Sequence, residues 1–278
     1  MMNPVLNAQE LLLDHEKWII IDCRYQLTKP DWGYQQYLEN HLPGARFVHL
    51  DRDLSGVKTG TNGRHPLPHP DHLQALFRQL GINQNARVVA YDDAGGCFAA
   101  RLWWSLKWLG FDQAAILNGG IESWVRVGGE LTPELPQVSP GHFTGEPRQE
   151  WVIGVDEIEK NLNSQYHLLM DARSSDRFRG ENESIDPRAG HIPGAINRPF
   201  TDNLDESKCF KLPQKLQQEF GRLLEPSPNR QIIHQCGSGV SACHNWLAMH
   251  YAGMTPALKL YPGSWSEWVA NPSRPIAR

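Results

Sequence analysis

At 278 residues the chain is long enough for one large domain or two of ordinary size. Its composition, 40% hydrophobic and 21% charged, excludes a disordered or fibrous polymer, and a net charge of −4 with no long run of either sign excludes the footprint of a nucleic-acid or membrane-surface binder. No apolar run reaches bilayer length, and Met1-Met-Asn-Pro-Val-Leu-Asn-Ala8 lacks a charged n-region and an apolar h-region, so a cytoplasmic protein is expected. The five cysteines, at 23, 97, 209, 236 and 243, are an odd, scattered set, which argues for a reducing compartment and against a disulfide framework. With no CxxC pair, neither a zinc site nor a cofactor is expected, and a monomer is the default.

In chain order, Asn7 caps a helix through Asp14, and the apolar run Trp18–Asp22 reads as a strand. Helices follow over Tyr34–Asn40 and over Asp71–Leu80, the second stopped by Gly81. Strand Arg87–Tyr91 leads into a helix over Cys97–Leu109, stopped by Gly110. Then come strand Ala114–Leu117 and helix Ile121–Val127. Trp103, Trp104 and Trp108 stand at helical spacing and read as core or interdomain packing. The loop Arg64-His65-Pro-Leu-Pro-His69 has no i, i+4 histidine geometry, and its prolines favour a surface loop overhanging the other half of the chain. Strands without polar alternation, separated by helices, predict an α/β fold with a mainly parallel sheet covered on both faces.

The chain then repeats itself. Trp18-Ile-Ile-Ile-Asp22-Cys-Arg24 returns as His167-Leu-Leu-Met-Asp171-Ala-Arg173, and Asn40-His41-Leu-Pro-Gly-Ala45 as Gly190-His191-Ile-Pro-Gly-Ala195. Arg87-Val-Val-Ala-Tyr-Asp-Asp93 aligns with Arg230-Gln-Ile-Ile-His-Gln-Cys236, and Gly119-Gly-Ile-Glu-Ser-Trp124 with Gly263-Ser-Trp-Ser-Glu-Trp268. Four blocks in one order mean two tandem copies of one domain. We place them at 1–131 and 151–278, joined by the proline-rich linker 132–150.

The copies differ at one position that matters for chemistry. Cys236 follows an apolar strand and precedes Gly237-Ser-Gly239-Val240-Ser241-Ala and a helix. Small residues let backbone N–H groups turn toward the sulfur, and the helix aims its positive end at the same place, which favours a nucleophilic thiolate. The first copy has Asp93 there and cannot supply a thiolate, so the second copy carries the chemistry. Asp22–Arg24 and Asp171–Arg173 are expected to tie strand ends to the scaffold as salt bridges. Cys243 is expected to be packed behind the loop.

The Asp-x-Arg and His-[Leu/Ile]-Pro-Gly-Ala blocks, the loop Cys236-Gly-Ser-Gly-Val-Ser241 and the closing Gly263-Ser-Trp-Ser-Glu-Trp268 resemble the rhodanese-type sulfurtransferases, over nearly the whole chain. The resemblance implies two tandem rhodanese-like domains. Within the family the neutral loop is similar to that of the 3-mercaptopyruvate sulfurtransferases, with Ser241 for the usual threonine, whereas thiosulfate sulfurtransferases carry basic residues after the cysteine. It implies a Cys236 persulfide that takes sulfur from 3-mercaptopyruvate and passes it to a thiol such as thioredoxin or to cyanide. Thiosulfate:cyanide transfer, and a persulfide carrier serving a partner protein, stay as alternatives.

By the same resemblance Gly237, Gly239, Val240 and Ser241 line the donor site, and Arg177 and Arg188 bind its carboxylate. Ser238 sits at the substrate in a serine–histidine–aspartate relay with His41 and Asp31. A cysteine phosphatase on this fold is excluded, because Cys-x5-Arg would need arginine where Ala242 stands.

Overall fold

The computed structural model describes residues 2–162, 166–226, 230–254 and 257–278. The chain forms two compact units. One comprises Met1–Gly56, Pro68–Arg148 and Glu206–Phe210, the other Val57–Leu67, Gln149–Asp205 and Lys211–Arg278. Three segments therefore depart from the boundaries read in the sequence: Val57–Leu67 goes with the second unit, Glu206–Phe210 with the first, and residues 132–148 of the expected linker also with the first.

In the first unit, β1 (Val5–Leu6), α1 (Ala8–Asp14), β2 (Ile19–Asp22), α2 (Trp32–Glu39), β3 (Arg46–Phe47), α3 (Pro70–Gln79), β4 (Val88–Tyr91), α4 (Ala99–Trp108), β5 (Ala114–Leu117) and α5 (Gly120–Arg126) follow one another. The sheet order is β1-β5-β4-β2-β3 and every pairing is parallel. All four residues of β4 and of β5 are buried, as a sheet covered on both faces requires. All ten residues of α4 are buried too. Trp103 donates its indole N–H to Ala114 O at 3.0 Å, and Trp104 stacks on Trp108 at 5.8 Å, so the tryptophans are core. The two-residue strands β1 and β3 are too short to leave a periodic pattern in the sequence.

The second unit runs α6 (Val155–Lys160), β6 (His167–Asp171), α7 (Ser175–Phe178), β7 (Ile196–Asn197), α8 (Pro213–Leu224), β8 (Gln231–Gln235), α9 (Ser241–Tyr251), β9 (Leu258–Leu260) and α10 (Ser264–Trp268). Its sheet order is β7-β6-β8-β9, again all parallel. Helix α8 buries Leu216 and Phe220 four residues apart, while eight residues of α9 are buried. Among the described residues no helix is long and apolar enough to cross a membrane.

The repeated Asp-x-Arg blocks do the same work in each unit. Arg24 Nη2 lies 2.7 Å from Asp22 Oδ2 and 2.7 Å from Asn40 O, and Arg173 Nη2 lies 2.7 Å from Asp171 Oδ2 and 2.8 Å from Gly190 O. Each pair is buried and locks a strand end to the residue before the following histidine. A buried pair of this kind adds little net stability but fixes geometry, because either charge alone would be left unsolvated.

Candidate active site

Strand β8 ends at Gln235, and Cys236 follows it at the carboxyl edge of the sheet, 2% exposed. The chain then turns through Gly237–Val240 into α9. Gly239 has φ +74°, and a Cβ on it would stand 2.3 Å from Pro262 O, so only glycine fits. The turn brings the Ser238 N–H to 3.4 Å from Cys236 Sγ. From behind, α10 fixes the loop: Trp265 N–H donates to Cys236 O at 3.0 Å and Ser266 N–H to Gly237 O at 2.9 Å. Ser264 Oγ accepts the N–H of Cys236 itself at 3.1 Å and donates to Tyr261 O at 2.9 Å.

That serine is held at φ +54°, a conformation that costs a residue with a Cβ about 1–3 kcal/mol. Its counterpart in the first unit is Gly120, at φ +57° and without strain. The second unit thus keeps a strained serine where the first has a glycine, and the serine's hydroxyl holds the amide of Cys236.

The first unit builds the equivalent loop around a carboxylate. Asp92, the counterpart of Gln235, accepts the N–H groups of Ala94, Gly96, Phe98 and Ala99 at 2.8–2.9 Å. The amides are taken up by a carboxylate of the chain itself. Beside it, at the position of Cys236, burial and the Asp92 charge raise the Asp93 carboxyl to about 6. A raised carboxyl costs nothing below the unfolded value near 4 and its full penalty above about 6. Asp93→Asn is therefore expected to raise the unfolding free energy by about 2 kcal/mol at pH 7.5, a gain that shrinks as pH falls toward 4. Denaturant melts at several pH values check this, and a gain independent of pH would contradict it.

The relay expected from the sequence is not formed by His41 and Asp31. His41 is fully buried, with Nδ1 2.7 Å from Tyr37 O, Nε2 3.1 Å from Glu134 O and its ring stacked on Tyr37 at 4.1 Å. His191 repeats that geometry, Nδ1 at 2.8 Å from Phe178 O and ring on Phe178 at 3.8 Å. Both histidines of the repeated block hold turns. Asp31 is 75% exposed, with Arg52 and His49 at 3.8 and 3.9 Å. The partner of Ser238 is His65, whose Nδ1 lies 2.7 Å from Ser238 Oγ, both residues being buried. His65 is thus no surface residue.

The arginines divide in the same way. A Cβ placed on Gly237 would stand 3.1 Å from Arg64 Nη2 and 3.6 Å from Arg177 Nη1, so two guanidinium edges flank the loop's first residue. Arg188 is not brought there: its Nη1 donates to Pro272 O at 3.3 Å and to Arg274 O at 3.2 Å, which makes it a tie for the C-terminal tail. Arg64 stands where Arg188 was expected. Of the other predicted residues, Val240 is buried beside the sulfur's turn and Ser241 opens α9. Cys243 is buried and donates its S–H to Gly239 O at 3.4 Å, and none of the five cysteines is in a disulfide.

The model of the rhodanese-like domain matches residues 7–126 and again 154–271. The chain belongs to the rhodanese family. A Pseudomonas aeruginosa protein described as "Probable 3-mercaptopyruvate sulfurtransferase" is 45% identical over 277 residues, 98% of this chain and 97% of that one. The thiosulfate sulfurtransferase of Gallus gallus is 32% identical over 90% of this chain and 85% of its own length. Among solved structures, SseA from Escherichia coli, described among the 3-mercaptopyruvate sulfotransferases, superposes with a TM-score of 0.80 at 30% identity, covering 96% of this chain and 100% of that one.

Arg64 and His65 are the residues of this site that the sequence reading misplaced. They lie between the repeated blocks that end at Ala45 and begin at Arg87, where the two copies differ in length, so the repeat could not align them to a role. The usable signal was local: an arginine and a histidine side by side, fenced by Gly63, Pro66 and Pro68, in a segment too rigid to be an idle loop.

Proposed function

We propose that the chain transfers the sulfur of 3-mercaptopyruvate, through a persulfide on Cys236, to a thiol or to cyanide and releases pyruvate. The observation that carries this reading is a neutral loop after the cysteine with two guanidinium edges beside it, from Arg64 and Arg177. A 2-oxo acid has one carboxylate, which a pair of arginine forks binds in a defined direction. The Cys236 thiolate attacks the donor sulfur, an S–S bond forms and the S–C bond breaks, and the electron pair passes to C3 as pyruvate enolate. A proton taken up at C3 completes pyruvate. Ser238, set by His65, donates a hydrogen bond to the ketone oxygen as charge builds on it. The acceptor thiolate then attacks the outer sulfur and the Cys236 thiolate leaves. Thioredoxin is a suitable acceptor, and a cytoplasmic monomer suits the five free thiols.

Steady-state rates with 3-mercaptopyruvate and with thiosulfate, against one common acceptor, test the donor. A kcat/KM at least about tenfold higher for 3-mercaptopyruvate is expected. A preference for thiosulfate would mean that the neutral loop does not set donor choice.

A further inference from the structure

The two arginines beside Gly237 are not free cations. Asp186, its side chain 3% exposed, stands between them, with Oδ1 2.6 Å from Arg64 Nη1 and Oδ2 3.1 Å from Arg177 Nη2. Glu183, its side chain 2% exposed, shares Arg177 Nη2 with Asp186 at 2.9 Å, meets Nε at 3.1 Å, and lies 3.5 Å from Arg173 Nη1. Asp171 completes the set by pairing with Arg173. Three guanidiniums meet three carboxylates, so the cluster is formally neutral before any donor arrives. Burial pushes the Glu183 carboxyl up, but the hydrogen bonds from Arg177 and from the amides of Asp186 and Ile185 outweigh it and hold the group below its ordinary value.

Each arginine meets Asp186 with one nitrogen and turns another toward the loop: Nη2 of Arg64 and Nη1 of Arg177 are the atoms nearest Gly237. Asp186 thereby sets how far apart the two forks stand and, with Glu183 on Arg177, leaves the pair no net charge. Resting on the donor reading above, we propose that Asp186 is the specificity-setting residue of this site, a bridge that fits the arginine pair to a donor with one carboxylate and disfavours a dianion such as thiosulfate. A pair of uncompensated guanidiniums would attract two negative charges more strongly than one. With Asp186 in place the pair offers directed N–H donors but no surplus charge, and the unbalanced charge of a dianion then costs more than that of a monoanion.

The test compares wild type, Asp186→Asn and Asp186→Glu with 3-mercaptopyruvate and thiosulfate against one acceptor, and follows alkylation of Cys236 by uncharged chloroacetamide. Asp186→Asn removes the charge at near-constant shape. It is expected to raise KM for 3-mercaptopyruvate and lower that for thiosulfate, reducing the ratio of the two kcat/KM values by about tenfold or more. The chloroacetamide rate should stay within about twofold, because the loop itself is held by α10. Asp186→Glu keeps the charge and should keep the ratio within about threefold even if both KM values rise.

An equal loss with both donors in Asp186→Asn would show a merely structural role and overturn the proposal. So would a ratio lost in Asp186→Glu, which decides the matter alone if Asp186→Asn does not fold. A wild type that prefers thiosulfate would overturn the donor reading, and this proposal with it. A wild type that prefers 3-mercaptopyruvate, with a ratio unmoved in Asp186→Asn, would overturn this proposal only.

Discussion

Cys236→Ser is expected to lower turnover with 3-mercaptopyruvate by at least about 10^4-fold, with the fold intact. A hydroxyl at this position is not ionised at neutral pH and cannot accept a sulfur atom as a persulfide, so the first half of the double displacement has no route. Removing the serine nucleophile of a protease costs about 10^6 in kcat, the residual rate coming from the oxyanion hole and binding. The loop should survive the change. Its carbonyls at Cys236 and Gly237 are held by the amides of Trp265 and Ser266, and the Cys236 amide by Ser264, none of which involves the sulfur. Circular dichroism and a thermal melt check the fold, and coupled pyruvate release checks the rate. Substantial activity in Cys236→Ser would place the nucleophile at another thiol.

The second large effect separates Arg64 from Arg188. Arg64→Ala is expected to raise KM for 3-mercaptopyruvate by about 10- to 100-fold, since a charge-assisted hydrogen bond contributes about 1.5–3 kcal/mol and each 1.4 kcal/mol is tenfold. The kcat should fall much less, because a carboxylate is held alike in the bound donor and in the transition state. Arg188→Ala should leave KM nearly unchanged and lower thermal stability instead, through the carbonyls of Pro272 and Arg274 that it now satisfies. Steady-state kinetics on both variants decide between the two assignments. A large KM effect at Arg188 and none at Arg64 would return the carboxylate to the pairing read from the sequence.

Much of this was legible before any coordinates. The repeat was carried by whole blocks, and blocks survive where single positions do not. It gave the two α/β units, the matched Asp22–Arg24 and Asp171–Arg173 ties, and the contrast between Asp93 and Cys236. The helices read from periodicity and glycine stops lie within a few residues of those observed, α3 ending before Gly81 and α4 before Gly110.

What stayed hidden is informative for the same reason. His41 is in the repeated block, and so is His191. A residue present in both copies, one of which has Asp93 in place of Cys236, belongs to the scaffold, and both rings hold main-chain carbonyls. His65 and Arg64 are unique to one place in the chain, but their segment clusters with the unit that lies after it in sequence, and no local pattern encodes that exchange. Position 188 was matched by its distance from the His-Ile-Pro-Gly block, which carries no information about which carbonyls a guanidinium meets.

The most direct test of the account is a single turnover without acceptor. Enzyme mixed with one equivalent of 3-mercaptopyruvate should release one pyruvate per chain, and intact-peptide mass spectrometry should find one added sulfur atom on the peptide bearing Cys236, removable by a thiol. Pyruvate release with that peptide unmodified, or with the sulfur on Cys23, Cys97, Cys209 or Cys243, would contradict it.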